Sequence, residues 1–251
     1  GSIGGPTDGT SLISREIDEY VMEGHPFVCP IGDDGGGDNY AAGDVNANQE
    51  IELQIQKGEA GFLRLDLWYP ETGKLQVRIE RPNGQIEGPF APPAGPNAVA
   101  DQNLGDIFIG HRGANVEFAQ ATSNRRELLI DFTGATGLYK IFLQNTQSAS
   151  TSFQATLNPA LYNNSNEFET FVVSGYSISD YASAELPVVL GDYVVKNEWT
   201  DVNGTFRDLT GQGEDGEIWI GSSEGPTQDG RRAIDFVTPG EVCFAAYQPN
   251  T

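Results

Sequence analysis

The sequence predicts a mixed fold, in which an α/β piece with a parallel sheet is interrupted by an antiparallel β-sandwich of the jelly-roll kind. Near the start of the chain, a helical pattern runs directly into a buried strand, which is typical of α/β folds. In the middle, short runs with period 2 alternate with turn residues, which is typical of a sandwich. The sequence near the end is similar in texture to that near the start, so the middle is interpreted as an insertion.

The first helix is predicted from its apolar spacing and its end signals. Apolar residues recur at every fourth position, at Ile13, Ile17 and Val21. Ser11 is a suitable N-cap, and Gly24 lies where a left-handed residue ends a helix. Pro26 prevents the helix from continuing, and residues 27–31 are expected to form a buried strand.

The inserted sandwich is predicted to span residues 44–158. Eight runs alternate in polarity: EIELQIQ, GFLRLDLWY, KLQVRIERP, DIFIG, VEFAQA, ELLIDF, LYKIFLQN and SFQATLN. Turns such as ETGK and PNGQ separate them, and a Pro-rich stretch forms one long loop. The flanking residues, 1–43 and 159–251, are assigned to the two parts of the α/β piece. A buried run at 187–195 and a hairpin at 201–204 are expected in the second part.

Composition limits the partners and the location. The chain has 251 residues and a formal net charge of −22, which would repel phosphate backbones, so neither nucleic acid nor an anionic membrane is expected as a partner. No apolar run reaches the length of a membrane span. The acidity suits solubility in an extracellular or periplasmic setting, with plain solvation of the surface as the alternative, and a secreted or cell-surface location is expected. Cys29 and Cys243 both lie in apolar runs, which favours two buried free thiols over a disulfide.

A search for a self-contained active site finds none. His25 and His111 are interpreted as surface residues, because neither has metal-ligand spacing around it. No cofactor motif is present. The Asp-rich stretch GDDGGGDN at 32–39 offers oxygens for a structural calcium ion, but it lacks the alternating spacing of a calcium loop and is interpreted as a turn.

Three stretches resemble the subtilisin-like serine proteases (peptidase family S8). Residues 2–6, SIGGP, resemble that family's Ser-Leu-Gly-Gly segment. Residues 27–35, FVCPIGDDG, resemble its strand ending in Ala-Ala-Gly-Asn-Glu-Gly. Residues 221–240, GSSEGPTQDGRRAIDFVTPG, resemble the run that precedes the nucleophile, and this match is the most specific. Residues 178–195 also resemble a segment of the family, in which inserted jelly rolls are common among large bacterial members.

The resemblance implies an α/β fold, a parallel sheet and an Asp-His-Ser triad. By order along the chain, the triad would lie outside residues 1–251, so the segment would be inactive by itself. The segment corresponding to Ser2, Ile3, Gly4 and Gly5 pairs with substrate in that family. The resemblance likewise places Gly32 and Asp33 at the oxyanion hole, where the family has Asn at the position of Asp33.

The presence of Asp33, where the family has Asn, bears on catalytic activity. An amide donates N–H to the oxyanion, whereas an ionised carboxylate only accepts and adds like charge. Three interpretations stay open. Asp33 could hold a proton because of burial and the charge of Asp34, and so donate. The alignment could be displaced within this Gly/Asp-rich turn. The parent protein could be a weak or inactive protease.

The sequence therefore predicts an internal segment of a secreted subtilisin-like endopeptidase that acts on polypeptides. The alternative is a binding or structural sandwich on a degenerate protease scaffold, for which aromatic residues such as Trp68 and Tyr69 are the only support. Sheet edges left bare in such a segment are expected to favour self-association.

Overall fold

The computed structural model describes residues 4–241. Its residues form one α-helix, sixteen strands and two short 3-10 helices, the latter at Asp180–Ser183 and Thr210–Gln212. In chain order the helix and strands are α1 (Leu12–Met22), β1 (Val28–Pro30), β2 (Tyr40–Val45), β3 (Glu50–Lys57), β4 (Leu63–Pro70), β5 (Leu75–Glu80), β6 (Ile86–Phe90), β7 (Gln102–Asn103), β8 (Ile107–Arg112), β9 (Arg125–Phe132), β10 (Gly137–Asn145), β11 (Thr151–Asn158), β12 (Asn166–Phe168), β13 (Val188–Val194), β14 (Glu198–Thr200), β15 (Phe206–Asp208) and β16 (Phe236–Glu241).

Two antiparallel sheets form the bulk of the molecule. One has five strands in the order β12-β3-β10-β5-β6, and the other has six in the order β2-β11-β4-β9-β8-β7. Their inward side chains meet in one large core, to which Leu53 and Ile141 contribute from the first sheet and Leu67 and Ile130 from the second. The alternation of the sequence accounts for this, because every second residue of a strand faces the core.

Most of the predicted strands of this region are confirmed, with one exception. The run VEFAQA at 116–121 is not a strand. Turn hydrogen bonds form there instead, from the Val116 amide to the Gly113 carbonyl and from the Gln120 amide to the Glu117 carbonyl. Phe118 is almost half exposed, because the segment runs over the outside of the six-stranded sheet rather than within it.

The end signals of α1 are confirmed. The Ser11 side chain accepts a hydrogen bond from the Ser14 amide, and Gly24 has a φ of +93°. Of the apolar stripe only Ile17 is buried, whereas Ile13 is about half exposed. The helix contacts the 3-10 helix Asp180–Ser183, where the Ser14 hydroxyl donates to the Asp180 carbonyl at 2.8 Å.

A small parallel sheet joins segments from the start and the end of the chain. Strand β1 pairs with β13, with Cys29 opposite Val189, and β13 pairs with β16. The predicted run at 187–195 forms β13, but it is buried only in part, since Val188 and Val195 are exposed. The predicted hairpin is also present, with Thr200 opposite Phe206.

The identification as a subtilisin-like protease segment is wrong for the fold that the chain adopts. The protein is mostly antiparallel β, with α1 as the one α-helix among residues 4–241 and a parallel sheet of three strands. Parallel sheets in α/β proteins have helices on both faces. Here Val28 and Phe236 are 58% and 64% exposed, because α1 contacts a 3-10 helix instead of covering them. The predicted subtilisin-like α/β piece is therefore not confirmed.

The strands of both antiparallel sheets lie between Tyr40 and Phe168. The predicted division at 43/44 and 158/159 stays a prediction. None of the helices that the structure describes has the length and apolar character needed to span a bilayer.

Candidate functional site

The turn that follows β1 holds two of the predicted site residues, Gly32 and Asp33. Its start is fixed to the parallel sheet, because the Ile31 amide donates to the Leu190 carbonyl at 2.8 Å. The Ile31 carbonyl accepts from the Ser179 amide, also at 2.8 Å. The turn thus begins at the carboxyl end of a parallel strand, the edge at which ligands bind in open sheets of this kind.

Gly32 lies where no side chain fits. Its φ is +128°, and a Cβ built there would lie 2.7 Å from both the Ser179 and the Ser223 hydroxyl oxygens. The Gly32 carbonyl accepts a hydrogen bond from the Ser223 amide at 3.1 Å. Two serine side chains from distant parts of the chain therefore enclose this position and require glycine.

Residues 221–223 fix the rest of the turn. The Asp34 amide donates to the Ser223 hydroxyl at 3.0 Å, and the Gly35 amide donates to the Gly221 carbonyl at 3.1 Å. Two of the stretches singled out in the sequence, 27–35 and 221–240, are thus in direct contact. This contact is formed within the mostly antiparallel fold described above.

The polar turn at 227–231 joins the same region to the start of the chain. The Gln228 amide donates to the Thr7 carbonyl at 3.0 Å, and the Arg231 guanidinium donates to the Ser183 carbonyl at 2.7 Å. Within the turn, Thr227 Oγ1 accepts from the Arg231 amide, and Asp229 pairs with the Arg231 side chain at 2.6 Å. Hydrogen bonds therefore connect the turn at 227–231 both to the start of the chain and to the 3-10 helix Asp180–Ser183.

A pocket of about 400 Å³ opens beside Gly32 and Asp33. Tyr181, Asp192 and Trp219 form other parts of its wall, and we call it the sheet pocket. Asp33 is one of its lining residues and is partly buried.

The predicted substrate-binding residues do not all meet in this pocket. Gly4 and Gly5 line a second pocket of about 590 Å³, whose wall also includes Leu12, Asp66, Glu127 and Asp180 and which we call the acid pocket. The start of the 3-10 helix separates the two, since Ser179 lies against Gly32 and Asp180 lies 2.6 Å from a Cβ built on Gly5. Ser2 and Ile3 lie outside the described residues.

Four buried carboxyl groups lie near these pockets, and three of them, Asp66, Glu127 and Asp180, were missed from the sequence. Burial, followed by the charge of Asp33, raises the pKa of Asp34 to about 7. Burial raises the pKa of Asp180 to about 6. Burial and then the charge of Asp66 raise the pKa of Glu127 to about 9, and burial likewise raises the pKa of Asp66. One feature of the sequence indicates this burial for Asp66. It shares a strand face with Trp68, and a large aromatic residue on that face indicates that the face is partly buried.

The prediction for the histidines is half wrong. His25 is exposed and stacks on Tyr20, with ring centroids 4.5 Å apart. His111 lies in β8 and is fully buried, and its Nε2 is 2.7 Å from the Tyr69 hydroxyl. Burial and the charge of Arg126 lower the pKa of His111 to about 3, so it is neutral at physiological pH. Among residues 4–241, neither histidine hydrogen-bonds a serine or a carboxylate.

The sandwich aromatics do not favour the alternative of a binding module. Trp68 and Tyr69 are 1% and 0% exposed, so neither is available to a partner. In the described part of the chain, no three His, Cys, Asp or Glu side chains come together as a metal site. Cys29 is a buried free thiol, as expected, and Cys243 lies outside the described residues.

Comparison with known proteins rests on structure alone. Neither the protein-family models nor the curated protein sequences give a match. Among solved structures, the chain is similar to the CspB protease of Clostridium perfringens, with a TM-score of 0.67 and 16% sequence identity. The match covers 98% of this chain and 48% of that one, so the chain spans about half the length of the protease. The chain therefore shares its fold with about half of that protein.

Proposed function

We propose that the chain is the substrate-side part of a peptide-hydrolysing enzyme, with the Gly32–Asp33 turn facing the scissile bond. The observation that carries the proposal is the fixation of this turn. Hydrogen bonds between the turn and residues 221–223 hold it at the carboxyl end of β1, where Gly32 and Asp33 line the sheet pocket. Catalysis of acyl transfer depends on such preorganised backbone near the developing oxyanion.

The nucleophile and base are proposed to come from outside residues 4–241. Ser–His chemistry requires a histidine within hydrogen-bond reach of the nucleophile. His111 is buried against Tyr69 and His25 stacks on Tyr20, so neither serves that purpose here. The match to about half of a protease is in keeping with a chain that supplies one side of the cleft.

Asp33 is the residue to test, because its carboxylate supplies no N–H donor. In the full-length protein that contains this chain, we expect Asp33→Asn to raise kcat for a fluorogenic peptide by about 10- to 100-fold with little change in KM, by adding one donor to the oxyanion. The exposed Asp38, in the same turn, provides the matched control, and Asp38→Asn should leave both constants unchanged.

Two results would overturn the proposal. One is absence of peptide hydrolysis, together with absence of serine labelling by a fluorophosphonate probe, in correctly folded full-length protein. The other is a kcat that does not change on Asp33→Asn. The 251-residue chain alone is expected to hydrolyse no peptide, and hydrolysis by it would also contradict the proposed division of roles.

A further inference from the structure

The parallel sheet has one packed face and one uncovered face. Alternate residues of a strand point to opposite faces, and residues paired across neighbouring strands point to the same face. Cys29 and Val189 are such a pair, and both belong to a small hydrophobic core. Val28 and Val188 form the preceding pair, so their side chains point away from that core, and both are exposed. The apolar residues that point away form what we call the bare face, which consists of Val28, Pro30, Val188, Leu190 and Phe236.

The bare face is apolar on all three strands. Leu190 lies at its centre, opposite Pro30 on β1 and opposite Phe236 on β16. Pro30 and Phe236 are exposed, and Leu190 is half-buried. Apolar side chains that are exposed together, rather than singly, indicate a site of interaction.

The bare face continues into the sheet pocket. Three of its residues, Val28, Pro30 and Leu190, also line that pocket. Thr238 follows them in the wall, and its pairing with Asp192 places its side chain on the same side of the sheet. One surface thus runs from the bare face to the carboxyl ends of the strands, where it deepens into the pocket of about 400 Å³.

A helix suits this surface better than a strand or a loop does. The backbone groups of a helix are paired within the helix, so a helix is buried on a sheet without loss of hydrogen bonds. A strand or a loop laid on the same face would bury unpaired N–H and C=O groups. The faces of parallel sheets are accordingly covered by helices. Among residues 4–241 no helix does this, because α1 contacts the 3-10 helix Asp180–Ser183.

Charge determines the direction in which such a helix would lie. Of the described residues that line the sheet pocket, Asp33 and Asp192 are acidic and none is basic. The N-terminus of a helix carries a partial positive charge and is stabilised by nearby carboxylates, whereas its C-terminus is repelled by them. The N-terminus is therefore expected at the pocket, with the helix running antiparallel to the three strands.

A second copy of this chain does not suit the surface. Each copy has a net charge of −22, so two copies repel each other. Helix α1 has the sequence LISREIDEYVM, with three acidic residues and one basic residue, so it would bring negative charge to Asp33 and Asp192. The surface favours a helix from a different polypeptide segment, without acidic residues in its first turn.

We propose that the bare face and the sheet pocket together dock an amphipathic α-helix from outside residues 4–241. Its apolar stripe covers the bare face, and its N-terminus points toward Asp33 and Asp192. The helix belongs to the part of the enzyme that supplies the nucleophile and base, and this assignment alone rests on the function proposed above. The protease that shares this fold has about half of its length outside the match, which is room for such a part.

Calorimetry with a designed helix tests the surface without any catalysis. The peptide is alanine-rich, about 18 residues long so that a helix forms in water, and carries leucines in one stripe. With the 251-residue chain, we expect it to bind at least tenfold more tightly than a peptide of the same composition whose leucines are spread around the helix. Equal affinities, or no binding of the striped peptide, would overturn the proposal.

Two phenylalanines locate the binding. Phe236 lies on the bare face and Phe206 lies in the β14–β15 hairpin, and they are exposed to a similar extent, 64% and 61%. Phe236→Ser should weaken binding of the striped peptide at least tenfold, whereas Phe206→Ser should leave it unchanged. Val28→Ser repeats the test on another strand, with the same loss expected as for Phe236→Ser. Urea unfolding establishes which variants are folded, and either variant of the bare face decides the question alone. Equal loss in Phe206→Ser would show general adhesion of apolar surface and refute the docking site.

The direction of the helix has its own test. Two glutamates in the first turn of the striped peptide place negative charge against Asp33 and Asp192, so we expect weaker binding, although the same change stabilises the free helix. Two glutamates in the last turn should weaken binding less. Asp192→Asn keeps an oxygen for the Glu241 amide, which donates to Asp192 Oδ1 at 2.8 Å, and should reduce the difference between the two peptides. A larger loss from the last turn would refute the assigned direction.

Thiol labelling shows which molecule supplies the helix. In Phe236→Cys, position 236 should react with a maleimide at least tenfold more slowly in the full-length protein than in the 251-residue chain. In Phe206→Cys, position 206 should react equally fast in both, and mass spectrometry distinguishes these positions from Cys29 and Cys243. Equal rates at position 236 would overturn the assignment to the same enzyme. A dimer of the 251-residue chain that Phe236→Ser dissociates, measured by sedimentation, would assign the face to a second copy and also overturn the proposal.

This labelling is independent of activity. Protection of position 236 in a full-length protein that hydrolyses no peptide would support the docking surface and refute the proposed function. Peptide hydrolysis without protection of position 236 would support the function and refute the docking surface.

Discussion

Asp34 illustrates how burial, more than sequence position, determines the chemistry of a residue. Its side chain is 1% exposed, and its Oδ2 has no hydrogen-bond partner among residues 4–241. Burial and the charge of Asp33 raise its pKa to about 7, well above the usual value for aspartate. The carboxyl group is therefore about half protonated near neutral pH.

This pKa predicts a stability that falls with pH. The folded protein holds the Asp34 proton more tightly than the unfolded chain does, so the stabilisation is complete below about pH 4 and is lost as the pH rises through about 7. Between pH 5 and 8.5, we expect the unmodified chain to lose about 2 to 3 kcal/mol more stability than Asp34→Asn loses. Urea unfolding at both pH values measures the difference. The exposed Asp38→Asn is the control, and parallel behaviour of the two variants would contradict the assignment.

At the scale of residues, features that depend on sequence neighbours were predictable from the sequence, whereas features that depend on distant residues were not. Ser11 caps α1 and Gly24 ends it, because both effects depend on neighbours within one helical turn. His111 was expected on the surface, yet Tyr69 and the sheet around it bury the ring. The Gly5 amide that donates to Asp66 lies 61 residues away in sequence, and the polarity pattern around Asp66 does not identify this partner.

Among the elements, the turn after β1 depends on very close contact with residues 221–223. A Cβ built on Gly35 would lie 2.0 Å from the Ser222 carbonyl oxygen, which is backbone and cannot move aside alone. Relief requires that the two segments separate. The hydrogen bond from the Gly35 amide to the Gly221 carbonyl would then be lengthened or lost.

Gly35→Ala should therefore be destabilising even though it adds a single methyl group. We expect a loss of about 1 to 3 kcal/mol in the free energy of unfolding, as for overpacked sites. Gly95→Ala is the matched control, because a Cβ there meets no atom within 4 Å, and it should change stability by less than about 0.5 kcal/mol. Urea unfolding decides between the two, and equal stabilities would show that the close contact is absent in solution.

The elements were predicted well where the polarity pattern follows the strand period, as in β3 and β10. The pattern failed at 116–121, where alternation occurs within a turn. It also failed to describe the α/β piece. Strands β1 and β13 are parallel as expected, but a parallel pair by itself does not determine how much helix surrounds it.

At the scale of the whole molecule, the net charge of −22 acts on stability. Like charges repel more strongly in the compact state than in the unfolded chain, and salt screens this repulsion over about 10 Å at 0.1 M. Ion pairs at the surface, such as Arg78 with Glu50, contribute little and lose little on screening.

Raising NaCl from 10 to 300 mM should therefore stabilise the chain. We expect a gain of about 1 to 2 kcal/mol, or roughly 3 to 8 °C in Tm. Thermal unfolding by circular dichroism measures it, with sucrose of equal osmolality as the uncharged control. A Tm that stays constant or falls with salt would show that repulsion is not significant in this fold.

The paired ends of the sandwich also bear on the order of folding. The Phe168 amide donates to the Asp38 carbonyl at 2.7 Å, so the chain enters and leaves the two large sheets at one point. Strands β1 and β13 are about 160 residues apart in sequence, but a folded middle shortens the free path between them to about 30 residues. Closing the shorter loop costs about 1.5 kcal/mol less entropy. The parallel pair is therefore expected to assemble late, on a middle that has already folded.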